Sequence, residues 1–268
     1  MSDESIAYCK LTDDYWQIWT IDPLSKKTTQ ITTSKQDKRD PIWIEKGQSL
    51  AFRTNNGQLF TVNRDGKNEK QILKKYQQIN NPHYSNQTNR VVFIRFHPQK
   101  QDLSQIYITD LNGENPLLLS DDTKLKYQPR FSANGQQIAF VKTDDKNQYH
   151  QIWKMNHDGS NKEQITTQAG FNTLPYFSPD NKFLTFTANT NGNYEIYQVN
   201  IKNKQVKNLT NHPGLDTHSV YSPSGEKIAF VSNRSGQRQI WTMNVDGTEA
   251  QPLTTGDSEA IEPAWSPF

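Results

Sequence analysis

Six residues of this chain occupy equivalent places: Asp40, Asn81, Gln128, Leu174, His218 and Glu262. Five stand immediately before a proline (Pro41, Pro82, Pro129, Pro175 and Pro263), and His218 precedes Ser219 in the same setting. Three of them could do metal chemistry together. His218, Glu262 and Asp40 supply one imidazole and two carboxylates, a donor set for a divalent cation such as Zn²⁺, Mn²⁺ or Ca²⁺. The expectation weighed against this is a chain with no cofactor. The five polar members then act as hydrogen-bonding and charge-pairing groups, joined by Arg39 and Tyr127 one residue earlier in their segments. Polar groups converging on a cavity make a ligand site; the plainer reading is a polar rim that holds ordered water.

Motifs for covalent or phosphoryl chemistry are missing. The chain contains no G-x-S-x-G elbow, no H-E-x-x-H pair and no P-loop. Its six histidines are scattered, and only His218 falls in the set above. The expectation leans away from an enzyme.

The elements that must position these residues follow a ruler. An aromatic first anchor recurs at Trp43, Tyr84, Phe131, Phe177, Tyr221 and Trp265. Phe52, Phe93, Phe140, Phe186 and Phe230 each follow a first anchor by nine residues, and Tyr8 is a second anchor with no first before it. The third anchors are Trp19, Phe60, Tyr107, Trp153, Tyr197 and Trp241, and the fourth, each 12 residues on, are Ile31, Ile72, Leu119, Ile165, Leu209 and Leu253. Another 12 residues lead to the next first anchor, so only the second-to-third step varies. The anchors sit in short alternating runs such as Ile228-Ala229-Phe230-Val231, which read as strands with one buried face. Asn-x-Asp-Gly and Asp-x-Asn-Gly turns separate third from fourth, with Gly supplying the positive φ of a tight hairpin.

A fixed period of four strands marks a repeat architecture. The expected fold is all-β: a six-bladed β-propeller of four-stranded antiparallel blades over residues 1–268 as one domain. Its ring is closed by the N-terminal strands pairing with the C-terminal strand, which hides both sheet edges.

Composition narrows the function. Net charge is +2, from 30 basic and 28 acidic residues, so nothing directs the whole chain to nucleic acid or anionic lipid. Hydrophobic residues are 32%, and no run of about 20 apolar residues suggests membrane insertion. Cys9 is the single cysteine and falls on an inner strand, which predicts a buried structural thiol. No charged-then-apolar leader is evident, giving a cytoplasmic protein if the chain is complete and a periplasmic one if an export signal was removed.

Charge is uneven on the face that should carry the variable loops. Lys35, Lys38, Arg39, Lys74, Lys75, Lys124 and Lys126 serve the first half, and Asp216, Asp257, Glu259 and Glu262 the last two segments, softened by Asp37, Asp40, Asp121 and Asp122. Such a bipolar surface suits a complementary protein partner; solvated loops are the alternative. Variable loops on a rigid frame are where binding lives, or where neutral drift is tolerated.

The segment Ser219–Thr254 nearly completes the pattern P-x-F-S-P-x-G-x-x-I-A-F-x-S…I-W-x-M-N-x-D-G…L-T. It resembles the PD40, or TolB-like, propeller repeat, and the resemblance recurs six times over essentially the whole chain. It implies a bacterial-type propeller like those that bind partner proteins or accompany some peptidases. No α/β domain or hydrolase domain is expected within these residues. The resulting expectation is a monomeric, non-catalytic scaffold that binds another protein through Asp40, Asn81, Gln128, His218, Glu262, Arg39, Tyr127, Lys74, Lys75 and Lys126. The alternative is a propeller that binds or processes a small molecule or carbohydrate at the channel mouth, with a metal at His218, Glu262 and Asp40.

Overall fold

A computed structural model describes residues 4–97, 99–120, 124–144, 148–189 and 192–267. Asp121, Asp122 and residues 98, 145–147 and 190–191, in three of the second-to-third anchor steps whose length varies, lie outside the described residues.

The strands come in successive groups. The first comprises β1 (Ile6–Thr12), β2 (Tyr15–Ile21) and β3 (Thr28–Gln30). The second is β4 (Lys38–Ile44), β5 (Ser49–Thr54), β6 (Leu59–Asn63) and β7 (Lys70–Ile72); the third is β8 (Asn80–Ser85), β9 (Arg90–His97), β10 (Lys100–Asp110) and β11 (Leu117–Leu118). Then come β12 (Lys126–Phe131), β13 (Gln137–Thr143), β14 (His150–Asn156) and β15 (Glu163–Gln164), followed by β16 (Phe171–Phe177), β17 (Phe183–Asn189), β18 (Tyr194–Asn200) and β19 (Val206–Asn208). The chain finishes with β20 (Asp216–Tyr221), β21 (Lys227–Ser232), β22 (Gln239–Asn244), β23 (Gln251–Pro252) and β24 (Ala260–Trp265). Among the described residues no helix is long and apolar enough to cross a membrane.

The architecture is an all-β propeller. Four sheets are separate and four-stranded: β24-β1-β2-β3, β4 to β7, β8 to β11 and β20 to β23. The expectation of six separate blades is corrected for the remaining strands, because β12 to β19 form one eight-stranded sheet. The cause is local. His150 on β14 and Phe171 on β16 pair in parallel, their rings edge to face at 4.8 Å, and this one bridge joins two four-stranded halves. At the chain ends β24 pairs antiparallel with β1, with Ile6 opposite Trp265 and Ala7 opposite Ala264.

Register explains the ruler. Second and third anchors face each other directly in every group, as Tyr8 opposite Trp19, Phe52 opposite Phe60, Phe93 opposite Tyr107, Phe140 opposite Trp153, Phe186 opposite Tyr197 and Phe230 opposite Trp241. A hairpin can lengthen between them without moving the pair, so only that step varies in sequence. Aromatic cross-strand pairs stabilise a sheet by roughly 0.2–1 kcal/mol each. The first anchors are all buried and pack groups against one another, as Trp43 and Trp265 do in one cluster with Tyr8 and Phe52.

The fourth anchors end the sheets. Ile31, Leu119, Ile165, Leu209 and Leu253 lie just past a short outer strand and donate their N–H to the third strand. In the second group Ile72 stays half-buried inside β7, and Leu73 takes the buried place. In the other five groups the hydroxyl after the anchor closes the last ladder position. Thr32, Ser120, Thr166, Thr210 and Thr254 accept the N–H of Ile18, Ile106, Ile152, Ile196 and Ile240, each at 2.9 Å. Thr32, Thr166 and Thr254 in turn donate to Gln17, Gln151 and Gln239 at 2.7–2.8 Å, so these buried groups are satisfied.

Candidate binding cavity

Each innermost strand slips register at the residue singled out by sequence. The breaks fall between Arg39 and Ile42, Asn80 and His83, Tyr127 and Arg130, Thr173 and Tyr176, and Thr217 and Val220, with the equivalent break in β24 between Ile261 and Ala264. All six bulge residues have left-handed backbone, with φ of 54° at Asp40, 46° at Asn81, 52° at Gln128, 56° at Leu174, 54° at His218 and 56° at Glu262. This conformation is uncommon outside Gly, Asn and Asp. A bulge re-aims a side chain, and repeated strain of this kind persists where surrounding structure holds it. Here it turns all six residues toward one cavity of about 470 Å³, walled by β4, β8, β12, β16, β20 and β24. These strands touch in succession, β4 to β8, β8 to β12, β12 to β16, β16 to β20, β20 to β24 and β24 to β4.

Several polar groups of this ring are engaged with their neighbours. The Glu262 carboxylate accepts two bonds from the Arg39 guanidinium, the Asp40 N–H at 2.8 Å and the Cys9 S–H at 3.2 Å. Asn81 Oδ1 accepts the N–H of Gln128 at 3.3 Å, and Gln128 Oε1 that of Leu174 at 2.8 Å. Asp40 pairs with Arg53 at 2.8 Å. Burial pushes Glu262 up, yet the Arg39 bonds and charge outweigh it and hold the carboxyl low, at about 2. Asp40 lies above its ordinary value, through burial and then the Glu262 charge, against the pull of Arg53. Burial depresses His218 to about 4, against the opposing pull of Glu262, so its imidazole is neutral at pH 7. His218 Nδ1 lies 2.9 Å from Thr217 Oγ1.

The proposed metal donors thus share one wall, but a guanidinium occupies each carboxylate. Among the described residues no three His, Cys, Asp or Glu side chains are grouped to hold a metal ion.

A second layer lies two residues further along each strand: Ile42, His83, Arg130, Tyr176, Val220 and Ala264, all lining the cavity. Sequence reasoning missed these. The available signal was the variable middle letter of an otherwise fixed proline–x–aromatic tripeptide. His83 Nδ1 accepts the Phe131 N–H at 3.1 Å, which leaves the ring proton on Nε2. Its pKa is pushed well down, first by burial and then by the Arg130 charge. The His83 ring stands edge-on to Tyr176, 6.0 Å between centroids.

On the loop-bearing face an aromatic row crosses three groups. Phe96, Tyr127, His150 and Phe171 follow one another at centroid separations of 6.4, 5.4 and 4.8 Å, and Phe171 is 45% exposed. Of these only Tyr127 was singled out from sequence. Lys74 and Lys75 are exposed and do not line the cavity; the Lys75 ammonium lies 5.9 Å from the Tyr76 ring. Lys126 is corrected outright. It is 1% exposed, its ammonium donates to the Lys124 carbonyl at 2.8 Å, and so it presents no surface charge. Lys38 is buried in the same way, donating to Ser34 and Gln36. Cys9 is fully buried, its thiol pKa raised by burial and then by Glu262.

The repeat has a family counterpart. The TolB β-propeller domain model matches this chain in two overlapping stretches, residues 53–194 and 89–268. The chain belongs to the TolB β-propeller family. An uncharacterized protein of Agrobacterium fabrum is 26% identical over 151 residues, 52% of this chain and 51% of its own length. This propeller therefore matches about half the length of that curated relative. TolB from Acinetobacter baumannii superposes with a TM-score of 0.84 at 18% identity, over 98% of this chain and 67% of that one. An oligogalacturonate lyase in complex with manganese superposes with a TM-score of 0.64 at 14% identity, over 94% and 74% of the two chains. At these identities the solved structures share the fold.

Proposed function

We propose that this TolB-family propeller is a non-catalytic scaffold, a monomer that binds another protein on its loop-bearing face. In this reading the eight-stranded sheet counts as two blades, giving six in a ring joined through β24 and β1. The observation that carries it is the aromatic row from Phe96 to Phe171. Contiguous rings on a rigid frame, part exposed and bordered by polar loops, have the make-up of an interface core. The expected partner presents apolar side chains to this row and acidic groups to Lys74 and Lys75, which steer it electrostatically. Asn81, Gln128, Asp40, Glu262 and Arg39 hold the frame beneath that face, and Tyr127 contacts the partner.

The test is capture of a partner, followed by titration of the purified pair. Tyr127→Ser with Phe171→Ser is expected to weaken binding by roughly 100-fold or more, since a pair of aromatic anchors commonly carries that much. Lys74→Glu with Lys75→Glu is expected to slow association chiefly, and to do so more at low salt. Unchanged affinity in the double serine variant would refute the reading.

A further inference from the structure

We propose that the central cavity binds a small monocarboxylate, held by Arg130, Tyr176 and His83. The site stands apart from the protein-binding face and does not depend on it.

Charge is the first ground. Three arginines line or border the cavity wall, and two are matched: Arg39 with Glu262 and Arg53 with Asp40. Arg130 is the third. Its only hydrogen bond among the described residues runs from Nη1 to the neighbouring Pro129 carbonyl, at 3.1 Å. No carboxylate of the described residues lies within salt-bridge distance of it, although the charges of Asp40 and Glu262 act on it from further off. A guanidinium withdrawn from water and unmatched is costly, and a bound anion removes that cost. One unmatched positive charge fits one negative charge, and the planar fork of arginine fits a carboxylate.

Unused donors are the second ground. The Tyr176 and His83 rings meet edge to face beside Arg130 on the cavity wall, and among the described residues no hydrogen bond engages the Tyr176 hydroxyl or His83 Nε2. Neutral donors beside a single cation stabilise a monoanion without favouring a second charge. Burial and the Arg130 charge keep His83 neutral, so it acts as a donor and adds no charge. Ile42, Leu174, Val220 and Ala264 give the same wall apolar surface, while its polar members Asn81, Gln128, Asp40 and Glu262 are engaged with their neighbours. The fitting ligand therefore carries one carboxylate for Arg130 and an apolar body that packs on Ile42, Leu174, Val220 and Ala264.

The experiment is isothermal titration of the full chain with phenylacetate, with phenylacetamide as its uncharged shape-mimic and phenyl phosphate as a dianion. Saturable one-to-one binding of phenylacetate is expected, tighter than either comparator by roughly tenfold or more, the range of a hydrogen-bonded charge. Arg130→Gln should abolish this preference. Tyr176→Phe, a smaller change that keeps the ring, should weaken phenylacetate alone by about three- to tenfold. Equal binding of phenylacetamide, undiminished binding by both variants, or no saturable heat up to roughly 10 mM would overturn the proposal. So would a pentapeptide ending in free phenylalanine that binds where phenylacetate and N-acetylphenylalanine do not, because the site would then read a chain terminus.

Discussion

Replacing Glu262 with alanine tests what holds the two chain ends together. Glu262 lies on β24 and touches two other strands: β4 through Arg39 and the Asp40 N–H, and β1 through the Cys9 thiol. Its side chain is 13% exposed and that of Arg39 30%. Removing one partner of a buried ion pair costs about 3–5 kcal/mol, because the other charge is left unmatched. Arg39 keeps some water and lies 5.0 Å from the Trp16 ring, which places the loss at the low end. The orphaned Asp40 N–H adds about 1 kcal/mol. Glu262→Ala should therefore cost about 3–4 kcal/mol. Glu262→Gln keeps an acceptor for Asp40 and should cost about half that. Arg238–Glu259 is the internal control. Its two bonds are as short, 2.7 and 2.6 Å, but its side chains are 43% and 26% exposed, so Glu259→Ala should cost at most about 1 kcal/mol. Urea unfolding at pH 7, followed by tryptophan fluorescence and far-ultraviolet dichroism, gives the differences wherever the slopes agree. If Glu262→Ala unfolds within about 1 kcal/mol of Glu259→Ala, the bonds around Glu262 do not hold the ends and the reasoning fails.

Acid should weaken the fold through the cavity histidines. His218 is neutral when folded, with a pKa of about 4 against 6.5 in an open chain, so the unfolded state takes up the proton first. Stability then falls as pH drops from 6.5 toward 4, by about 2 kcal/mol after allowing for partial exposure. His83 acts in the same direction, and the depressed Glu262 adds a further loss as pH falls from its open-chain value of 4.5 through about 2. His218→Gln should flatten the upper part of this profile in urea titrations at stepped pH; an unchanged slope refutes the assignment. Gly247→Ala should cost more than Gly236→Ala in thermal melts. Both glycines have left-handed backbone, but a Cβ at Gly247 would sit 2.4 Å from the Leu209 carbonyl oxygen, and one at Gly236 would meet nothing within 4 Å. The first loss is expected above about 2 kcal/mol and the second near 1; equal losses would show that strain alone decides.

The legible part of the candidate site was its outer layer. Asp40, Asn81, Gln128, Leu174, His218 and Glu262 recur at one place in the period, and the structure turns all six to one cavity. Their partners were not legible. That Glu262 meets Arg39 depends on strands more than 200 residues apart lying side by side. Lys126 and Lys74 look alike as letters, yet one is buried against a backbone carbonyl and the other is exposed. Arg130, His83 and Tyr176 read as fillers between a proline and an aromatic anchor until three strands bring them together.

The sequence by itself determined the repeat: where the anchor residues recur, that they sit in short strands joined by hairpins, and that the chain is a TolB-type propeller. It could do so because cross-strand register and turn chemistry are local, and the same local solution recurs along the chain. Only the tertiary structure decided which charges are matched and which side chain is left facing the cavity with none. It also decided that β14 and β16 join two four-stranded groups into one sheet. Charge balance and burial depend on neighbours from different groups, and no period in a single chain records them.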